Sequence, residues 1–292
     1  MPSRYLMVVS RLLAITESNR LTVWSAKLFQ ELDKAHILVG LANRDYEGEI
    51  SGYGDQVKIN GLGDVTVGNY KPNETEINPQ QLSAEQTLLL IDQSKYFAFY
   101  IDDVDAAQVK PKLMAEAMRK SAVALGNTSD RLIAGFHTDA GVNVSSTSVT
   151  VANALKVLAD AAEGLDENNV PMQGRWMVVP PWFHTKLVLN KILETDGSVD
   201  ANPAFTNGFV GRAFGFDIYM SNNLSTGIGA VAKSHYALAG TSRAISFAEQ
   251  IVKMEAYRPE NSFSDAVKGL HVYGAKVVDP NALASIMIST TS

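Results

Sequence analysis

The feature that most constrains this chain is a glycine-rich, acidic stretch at residues 45–70. Valine and isoleucine alternate with polar residues around positions 57–59 and 65–67, on either side of further glycines. This pattern predicts two short strands joined by a glycine turn, a β-hairpin. A lone hairpin with so little apolar surface is not stable by itself. The segment must therefore lie on another surface, in this chain or in a second one.

A second unusual feature is a helical pattern that runs from about residue 105 to residue 136. One face carries apolar residues at spacings close to 3.6, namely Val109, Leu113, Ala117, Ala124, Leu125, Leu132 and Phe136. At about 1.5 Å per residue the helix is roughly 45 Å long, which is long for a domain in a chain of this size. Pro111 fits a first turn better than a helix interior, which places the regular start nearer Lys110.

The remaining pattern predicts a compact α/β unit in the second half of the chain. Helical spacing also occurs earlier, at 24–41, and strand propensity dominates 95–101. Beyond residue 148 we expect a helix at 149–165 stopped by Gly164, a buried strand at 175–179, a helix from Pro180 or Pro181 to Leu193, and strands at 211–220, 235–239, 243–257 and, as the last clear one, 270–278.

The composition argues against several classes of function. The chain has 292 residues, no cysteine and a net charge of −6, without any run of consecutive lysine or arginine. Disulfides, thiolate metal sites and a cysteine nucleophile are therefore excluded, and strong wrapping of DNA is not expected. No apolar run approaches the roughly 18 residues of a membrane-spanning helix. We expect no membrane contact.

Motifs for catalysis or cofactor binding are also weak. The five histidines form no HExxH pattern, and neither a nucleophile elbow nor a Walker loop is present. Residues 227–232 match a relaxed dinucleotide fingerprint, but a polar turn precedes them where a strand is needed. We therefore expect no catalytic residues, no metal and no cofactor.

Four stretches together resemble a known family. They are WSAKLFQELDKAHILVGLANRDYEGEI (24–50), GDQVKINGLGDVTVGNY (54–70), LLIDQSKYFAFYIDDVDAAQ (89–108) and FSDAVKGLHVYGAKVVDP (263–280). Their order and spacing resemble the major capsid proteins of tailed bacteriophages of the Hong Kong 97 type, from about residue 24 onward.

The resemblance implies an α+β chain with the Hong Kong 97-type capsid fold. Its expected parts are an N-terminal arm and helix at 1–44, an extended loop (the β-hairpin) at 45–78, a peripheral domain with a long spine helix at 79–145 and 246–272, and an axial domain at 146–245 and 273–292. The extended loop lies across a neighbouring subunit in this family, which would supply the support that the hairpin lacks.

The resemblance also implies contacts between subunits. Acidic side chains of the loop are expected to face basic side chains of a neighbour. The expected contact residues are Tyr46, Glu47, Glu49, Tyr53, Asp55, Lys58 and Asp64 in the loop, and Arg119, Lys120, Arg131 and Arg258 as the candidate basic partners.

The implied function is self-assembly into the icosahedral head shell that encloses a double-stranded DNA genome. The expected partners are copies of the chain, as hexamers and pentamers, together with portal and scaffolding proteins and a decoration protein. DNA would be enclosed without tight, sequence-specific binding. The expected location is the virion, after assembly in the host cytoplasm.

Two alternatives stay open at this point. An encapsulin-like nanocompartment shell shares the fold and encloses protein cargo instead of a genome. A soluble α/β enzyme with a site at 175–245 is the alternative from another class, and its support is the weak match at 227–232.

Overall fold

A computed structural model describes most of the chain. The described residues are 28, 32, 36–46, 53–62, 72, 84–145, 148–189, 209–227, 234–258, 260 and 264–290. The helices are α1 (Asp103–Ala134), α2 (Ala154–Glu167) and α3 (Pro181–Leu189). The strands are β1 (Gln56–Leu62), β2 (Ala84–Leu90), β3 (Gln93–Asp102), β4 (Val142–Ser145), β5 (Trp176–Val179), β6 (Phe209–Ala213), β7 (Phe216–Met220), β8 (Ser234–Gly240), β9 (Ile245–Tyr257), β10 (Ser264–Val277) and β11 (Leu283–Ser289).

Helix α1 packs against a three-stranded sheet, and the two form a two-layer unit. The antiparallel order is β3-β10-β9, with a register shift of β10 against β9 between Leu270 and His271. Phe97 and Phe99 of β3 and Val267 of β10 face α1, where they pack against Met118, Ala122 and Leu125. Leu28 and Leu32, both in helical backbone, are buried in the same cluster. The predicted early helix therefore contributes its leucine face to this core.

Strands β1 and β2 form an antiparallel ribbon on top of that sheet. Val57 pairs with Leu89, and the two side chains are buried with Ala248 and Val272 from β9 and β10. The predicted partner of 57–59 at 65–67 lies outside the described residues, so that pairing stays a prediction. Among the described strands, β1 pairs with β2.

A six-stranded mixed sheet forms the second unit, in the order β4-β11-β8-β5-β7-β6. All four residues of β5 are buried, as is typical of a strand covered on both faces. Helix α2 buries one stripe at helical spacing: Ala154, Val157, Leu158, Ala161 and Leu165. A two-residue turn at Phe214 and Gly215, both with positive φ, joins β6 to β7.

Several helix boundaries differ from the sequence predictions. The helix predicted at 24–41 is not α-helical over residues 36–41, where a short 3-10 turn spans Val39–Leu41, and α2 begins at Ala154 instead of residue 149. Helix α1 begins at Asp103, so Pro111 lies inside it and the predicted start near Lys110 is wrong. Gly164 does not end α2, which continues to Glu167. A Cβ atom at position 164 would lie 2.5 Å from Cγ1 of Val142, so this glycine lets the helix approach β4 closely.

The prediction that 270–278 holds the last strand is also wrong. Strand β11 follows it and lies inside the six-stranded sheet, parallel to β4 and antiparallel to β8. Strand β10 itself begins at Ser264, and residues 273–277 pair with β9 in the three-stranded sheet. The predicted helix end at Leu193 lies outside the described residues, and α3 is described to Leu189.

Candidate assembly surfaces

The segment that leads into the ribbon, residues 36–46, is here named the junction. The backbone N–H groups of Ile37, Leu38 and Val39 donate to the carboxylate of Asp130 in α1, at 3.2, 3.0 and 3.1 Å. Asp130 is fully buried, and this burial raises its pKa to about 6 although the three N–H groups and Asn223 act in the opposite direction. Helix α1 therefore holds the N-terminal end of the junction.

Glu249 in β9 holds the other end of the junction. Its Oε1 accepts a hydrogen bond from Nη2 of Arg44 at 2.8 Å, and its Oε2 lies 3.0 Å from Nε2 of His271 in β10. Nδ1 of His36 lies 3.7 Å from Oε1. Burial opposes ionisation, but the His271 hydrogen bond and the charges of His36, His271 and Arg44 hold the pKa of Glu249 below its ordinary value.

Sequence reasoning missed both of these carboxylates. Asp130, Glu249 and His271 come from distant parts of the chain, so no local motif joins them. The available signal was a charged residue inside an otherwise apolar strand, as for Glu249 in ISFAEQIV and His271 in GLHVY. Such residues are seldom buried unless they are paired.

The outer face of the β1–β2 ribbon is partly apolar. Lys58 lies opposite Leu88, and Gln56 lies opposite Leu90, so these four side chains share one face. Leu88 and Leu90 are 38% and 45% exposed. Tyr53, in the turn before β1, is 65% exposed. The ribbon thus presents leucine and tyrosine next to a lysine, a composition that fits a contact with another surface.

The three-stranded sheet also presents an apolar face, directed away from α1. Tyr96 and Tyr100 of β3 are 79% and 70% exposed, while the intervening Phe97 and Phe99 point to the core. Lys268 of β10 lies between them in register, and its Nζ is 2.8 Å from Oε2 of Glu255 and 5.2 Å from the ring centre of Tyr257. We name this the tyrosine face.

The predicted basic contact residues lie in three places. Arg119 is exposed on α1 and already pairs with Glu116, with Nη2 2.7 Å from Oε1. Lys120 follows it and is exposed, and Arg131 is exposed near the end of the same helix. Arg131 lines an open groove with His137, Tyr236 and residues 222–226. Arg258 is exposed just beyond β9.

The predicted loop residues are only partly described. Glu47, Glu49 and Asp64 lie outside the described residues. Tyr46 packs against the apolar cluster beneath the ribbon, and its position is therefore partly structural. Asp55 is half-buried at the start of β1, where its carbonyl accepts the N–H of Ile91 at 3.0 Å. The contacts between subunits stay a prediction.

The weak dinucleotide fingerprint at 227–232 does not have the context that it needs. Gly227 exchanges hydrogen bonds with Ser234, the first residue of β8. Only six residues separate the two, which is too few for the helix that must follow such a loop.

Among the described residues no group of three or more His, Asp or Glu side chains could hold a metal ion. In the same ranges no helix has the length and apolar character to cross a membrane.

Comparisons with known proteins agree with one another. A family model described as phage capsid protein matches residues 86–286. A solved structure from Mycobacterium phage Che8 is 33% identical and has a TM-score of 0.67, with 86% of this chain and 90% of that chain covered. The capsid structure of the cyanophage P-SCSP1u is 19% identical with a TM-score of 0.64, covering 88% and 87%. The comparison with curated proteins gives no match.

Solved structures with little sequence identity to this chain also share its fold. A virus-like particle from Pyrococcus furiosus is 11% identical with a TM-score of 0.57, covering 89% of this chain and 96% of that chain. The family model spans more than two thirds of this chain, and the Che8 structure adds substantial identity over nearly its whole length. The chain therefore belongs to the phage capsid protein family and is a shell-forming major capsid protein with a Hong Kong 97-type fold.

Proposed function

We propose that this capsid protein assembles with copies of itself, as hexamers and pentamers, into a closed icosahedral shell around the double-stranded DNA of a tailed phage. The observation that carries the proposal is the family match over residues 86–286 together with 33% identity to the Che8 structure. A shell subunit needs repeated contacts with copies of itself rather than an active site.

We assign the parts of the chain by the same resemblance. Residues 1–44 form the arm and its helix, 45–78 the extended loop, 79–145 with 246–272 the peripheral domain, and 146–245 with 273–292 the axial domain. The presence of a three-stranded and a six-stranded sheet supports two domains of this kind, but two strand segments fall on the other side of the proposed boundaries. Strand β4, within 79–145, belongs to the six-stranded sheet, and residues 273–277 pair with β9 in the three-stranded sheet. The ribbon spans the proposed boundary at residue 78, because β1 and β2 lie on either side of it.

The exposed apolar faces support contact with other copies. The tyrosine face and the outer face of the ribbon each present large apolar side chains next to a lysine. Contiguous exposed patches of this kind mark interaction sites when they are rimmed by polar groups. Arg119, Lys120, Arg131 and Arg258 are the basic residues that we propose as partners for the acidic loop. Arg119 also pairs with Glu116 within the chain.

Assembly of the purified full-length chain tests the proposal. Negative-stain electron microscopy and sedimentation are compared with and without a scaffolding protein, which we propose as a partner together with portal and decoration proteins. Closed shells or capsomer rings are expected. A chain that stays monomeric or dimeric in both conditions contradicts the proposal.

A charge-swap series tests the loop contacts. Asp55→Lys and Lys120→Glu are each expected to impair assembly, and the double variant to restore part of it, because exposed pairs contribute about 0.2–1 kcal/mol each. Glu163→Lys is the matched control, an exposed acid on α2 outside the proposed contacts. Normal assembly of both single variants removes these two positions from the interface.

The contents of the shell separate a phage capsid from a nanocompartment. The likeness to the Pyrococcus furiosus particle concerns the fold alone, and the higher identity to the Che8 structure favours the viral assignment. We propose assembly in the host cytoplasm and weak, non-specific contact with DNA, in line with the net charge of −6. A co-purifying protein cargo without nucleic acid would contradict the viral assignment.

A further inference from the structure

The turn between β6 and β7 carries a phenylalanine in a backbone conformation that this residue type seldom adopts. Phe214 has a φ of 52° and Gly215 a φ of 78°, and Ala213 and Phe216 on either side pair with each other. Two consecutive residues with positive φ between paired strand ends are typical of a type I′ turn, for which Asn-Gly is the preferred sequence. Glycine therefore suits the second position, whereas phenylalanine at the first position is unfavourable.

Another residue shows how such a conformation is ordinarily accommodated. Among the described non-glycine residues, Asn169 and Phe214 have positive φ. Asn169 lies just after α2, where its N–H donates to the carbonyl of Asp166 at 2.9 Å. Asparagine tolerates the left-handed region and is common directly after a helix. Local structure therefore explains Asn169, but it does not explain a phenylalanine at position 214.

The ring of Phe214 also takes no part in the core. The residue is 48% exposed and belongs to none of the apolar clusters formed by the described residues, whereas Phe216 two positions later is fully buried. Position 214 thus combines an unfavourable backbone conformation with an aromatic side chain left partly in water. Because these clusters supply no compensating packing, the strain points to a contact made outside the single chain.

The hairpin lies at a margin of the fold. Strand β6 is the outermost strand of the six-stranded sheet. Its register shifts against β7 between Phe209 and Gly211, and an irregularity of this kind on an edge strand opposes pairing with a further strand. Arg212 and Asp217 form an ion pair across the hairpin, next to the turn. The turn is therefore an apolar tip beside balanced charges, which approaches an acidic surface without repulsion.

We propose that Phe214 is an anchor between subunits, whose ring inserts into an apolar recess on a second copy of this chain. The partner is a copy because the chain belongs to a shell-forming family and has a net charge of −6, which the tip does not oppose. Aromatic rings buried in a recess of the partner are the usual anchors of such contacts. Burial of the ring offsets the cost of the strained turn. The inference rests on the assembly proposed above.

The variant Phe214→Asn separates the effect on folding from the effect on assembly. Asparagine suits the first position of this turn, so the urea midpoint of the unassembled full-length chain is expected to be at least as high as that of the wild type. The concentration needed for assembly, measured by sedimentation velocity and checked by electron microscopy, is expected to rise about tenfold or more, because the burial of a phenyl ring in the contact is lost.

Two further variants serve as controls. Phe214→Leu keeps an apolar side chain on the same turn and should need a concentration between those of the wild type and Phe214→Asn. Met172→Asn removes another exposed apolar side chain, 69% accessible in the loop before β5, and should assemble as the wild type does.

Three outcomes would overturn the proposal. An unchanged assembly concentration for Phe214→Asn would show that no copy contacts the ring, and a lower urea midpoint would show that the ring acts within its own chain. A defect seen only when a scaffolding protein is present would assign the ring to that protein. A wild-type chain that does not assemble in either condition contradicts the proposed function together with this contact, and it is thereby distinguished from a failure of the contact alone.

Discussion

A Cβ atom at Gly274 would overlap the carbonyl oxygen of Leu90, because β10 passes directly beneath the end of β2. The same atom would lie 3.0 Å from both Cα and Cδ1 of Ile91. The obstacle is backbone rather than the tip of a flexible side chain. Contact between the ribbon and the three-stranded sheet therefore depends on the absence of a side chain at this position.

We expect Gly274→Ala to destabilise the chain by about 1–3 kcal/mol, as overpacking of a close contact does. Urea unfolding of the unassembled chain measures the change. Gly135→Ala is the control, because a Cβ atom there has no neighbour within 4 Å and φ is not positive. Equal stability of the two variants would show that the ribbon moves freely away from β10.

Arg175 is a second position where one change should be severe. Its guanidinium is buried, pairs with Asp166 at 2.7 Å and donates to the carbonyls of Val170 and Pro171. Arg175→Met leaves those carbonyls without donors, and we expect a loss of about 2–4 kcal/mol in thermal or urea unfolding. Lys156→Met removes an exposed pair with Asp160 and should change stability by less than about 0.5 kcal/mol.

The pH dependence of stability should carry the signature of Asp130. Its pKa is raised from 3.8 to about 6, so its contribution to the free energy of unfolding falls as the pH rises through this interval. A difference of about two pKa units limits this effect to about 3 kcal/mol. Asp130→Asn is expected to flatten the stability profile between about pH 4 and about pH 7 relative to wild type.

That comparison uses the slope and not the absolute stability. Asparagine keeps one acceptor for Leu38 and Val39 but presents an amide group toward Ile37, so some overall loss is expected. An unchanged slope would show that Asp130 has the same affinity for protons in the folded and unfolded chain.

The tyrosine face should affect assembly without affecting folding. Tyr96→Ser with Tyr100→Ser removes two exposed rings, 79% and 70% accessible, that take no part in the core. We expect the concentration needed for assembly to rise by about tenfold or more, since aromatic contacts contribute about 0.5–1.5 kcal/mol each beyond their area. Sedimentation velocity measures assembly, and far-ultraviolet circular dichroism checks the fold. Met172→Ser, another exposed apolar residue, is the control.

The spacing of apolar residues along the sequence predicted several helices and strands. The helix α1 and the wholly buried strand β5 were both visible in the sequence, although Pro111 and Gly164 misplaced two helix boundaries. The predicted apolar stripe of α1 was partly wrong, because Met118, Ala122 and Leu125 are buried whereas Ala124 is exposed. In KYFAFY, Tyr96 and Tyr100 alternate with Phe97 and Phe99, but the alternation does not tell which pair is buried. The packing of α1 on the phenylalanine side decides that.

Non-local pairings could not be predicted from the sequence. Strand β1 pairs with β2 across more than twenty residues, and β11 joins β4 from the far end of the chain. The Glu249 site draws on residues near positions 40, 250 and 270, so no spacing identifies it. Such contacts follow from how the sheets stack rather than from any segment alone.

The position of β11 also governs when the chain can fold. It lies between β4 and β8, so the six-stranded sheet stays incomplete until residues 283–289 have left the ribosome. The three-stranded sheet likewise waits for β10, which pairs with β3 about 170 residues upstream. During translation neither sheet can close. The folded surfaces of the two sheets are therefore available to other subunits only after nearly all of the described chain has been synthesised.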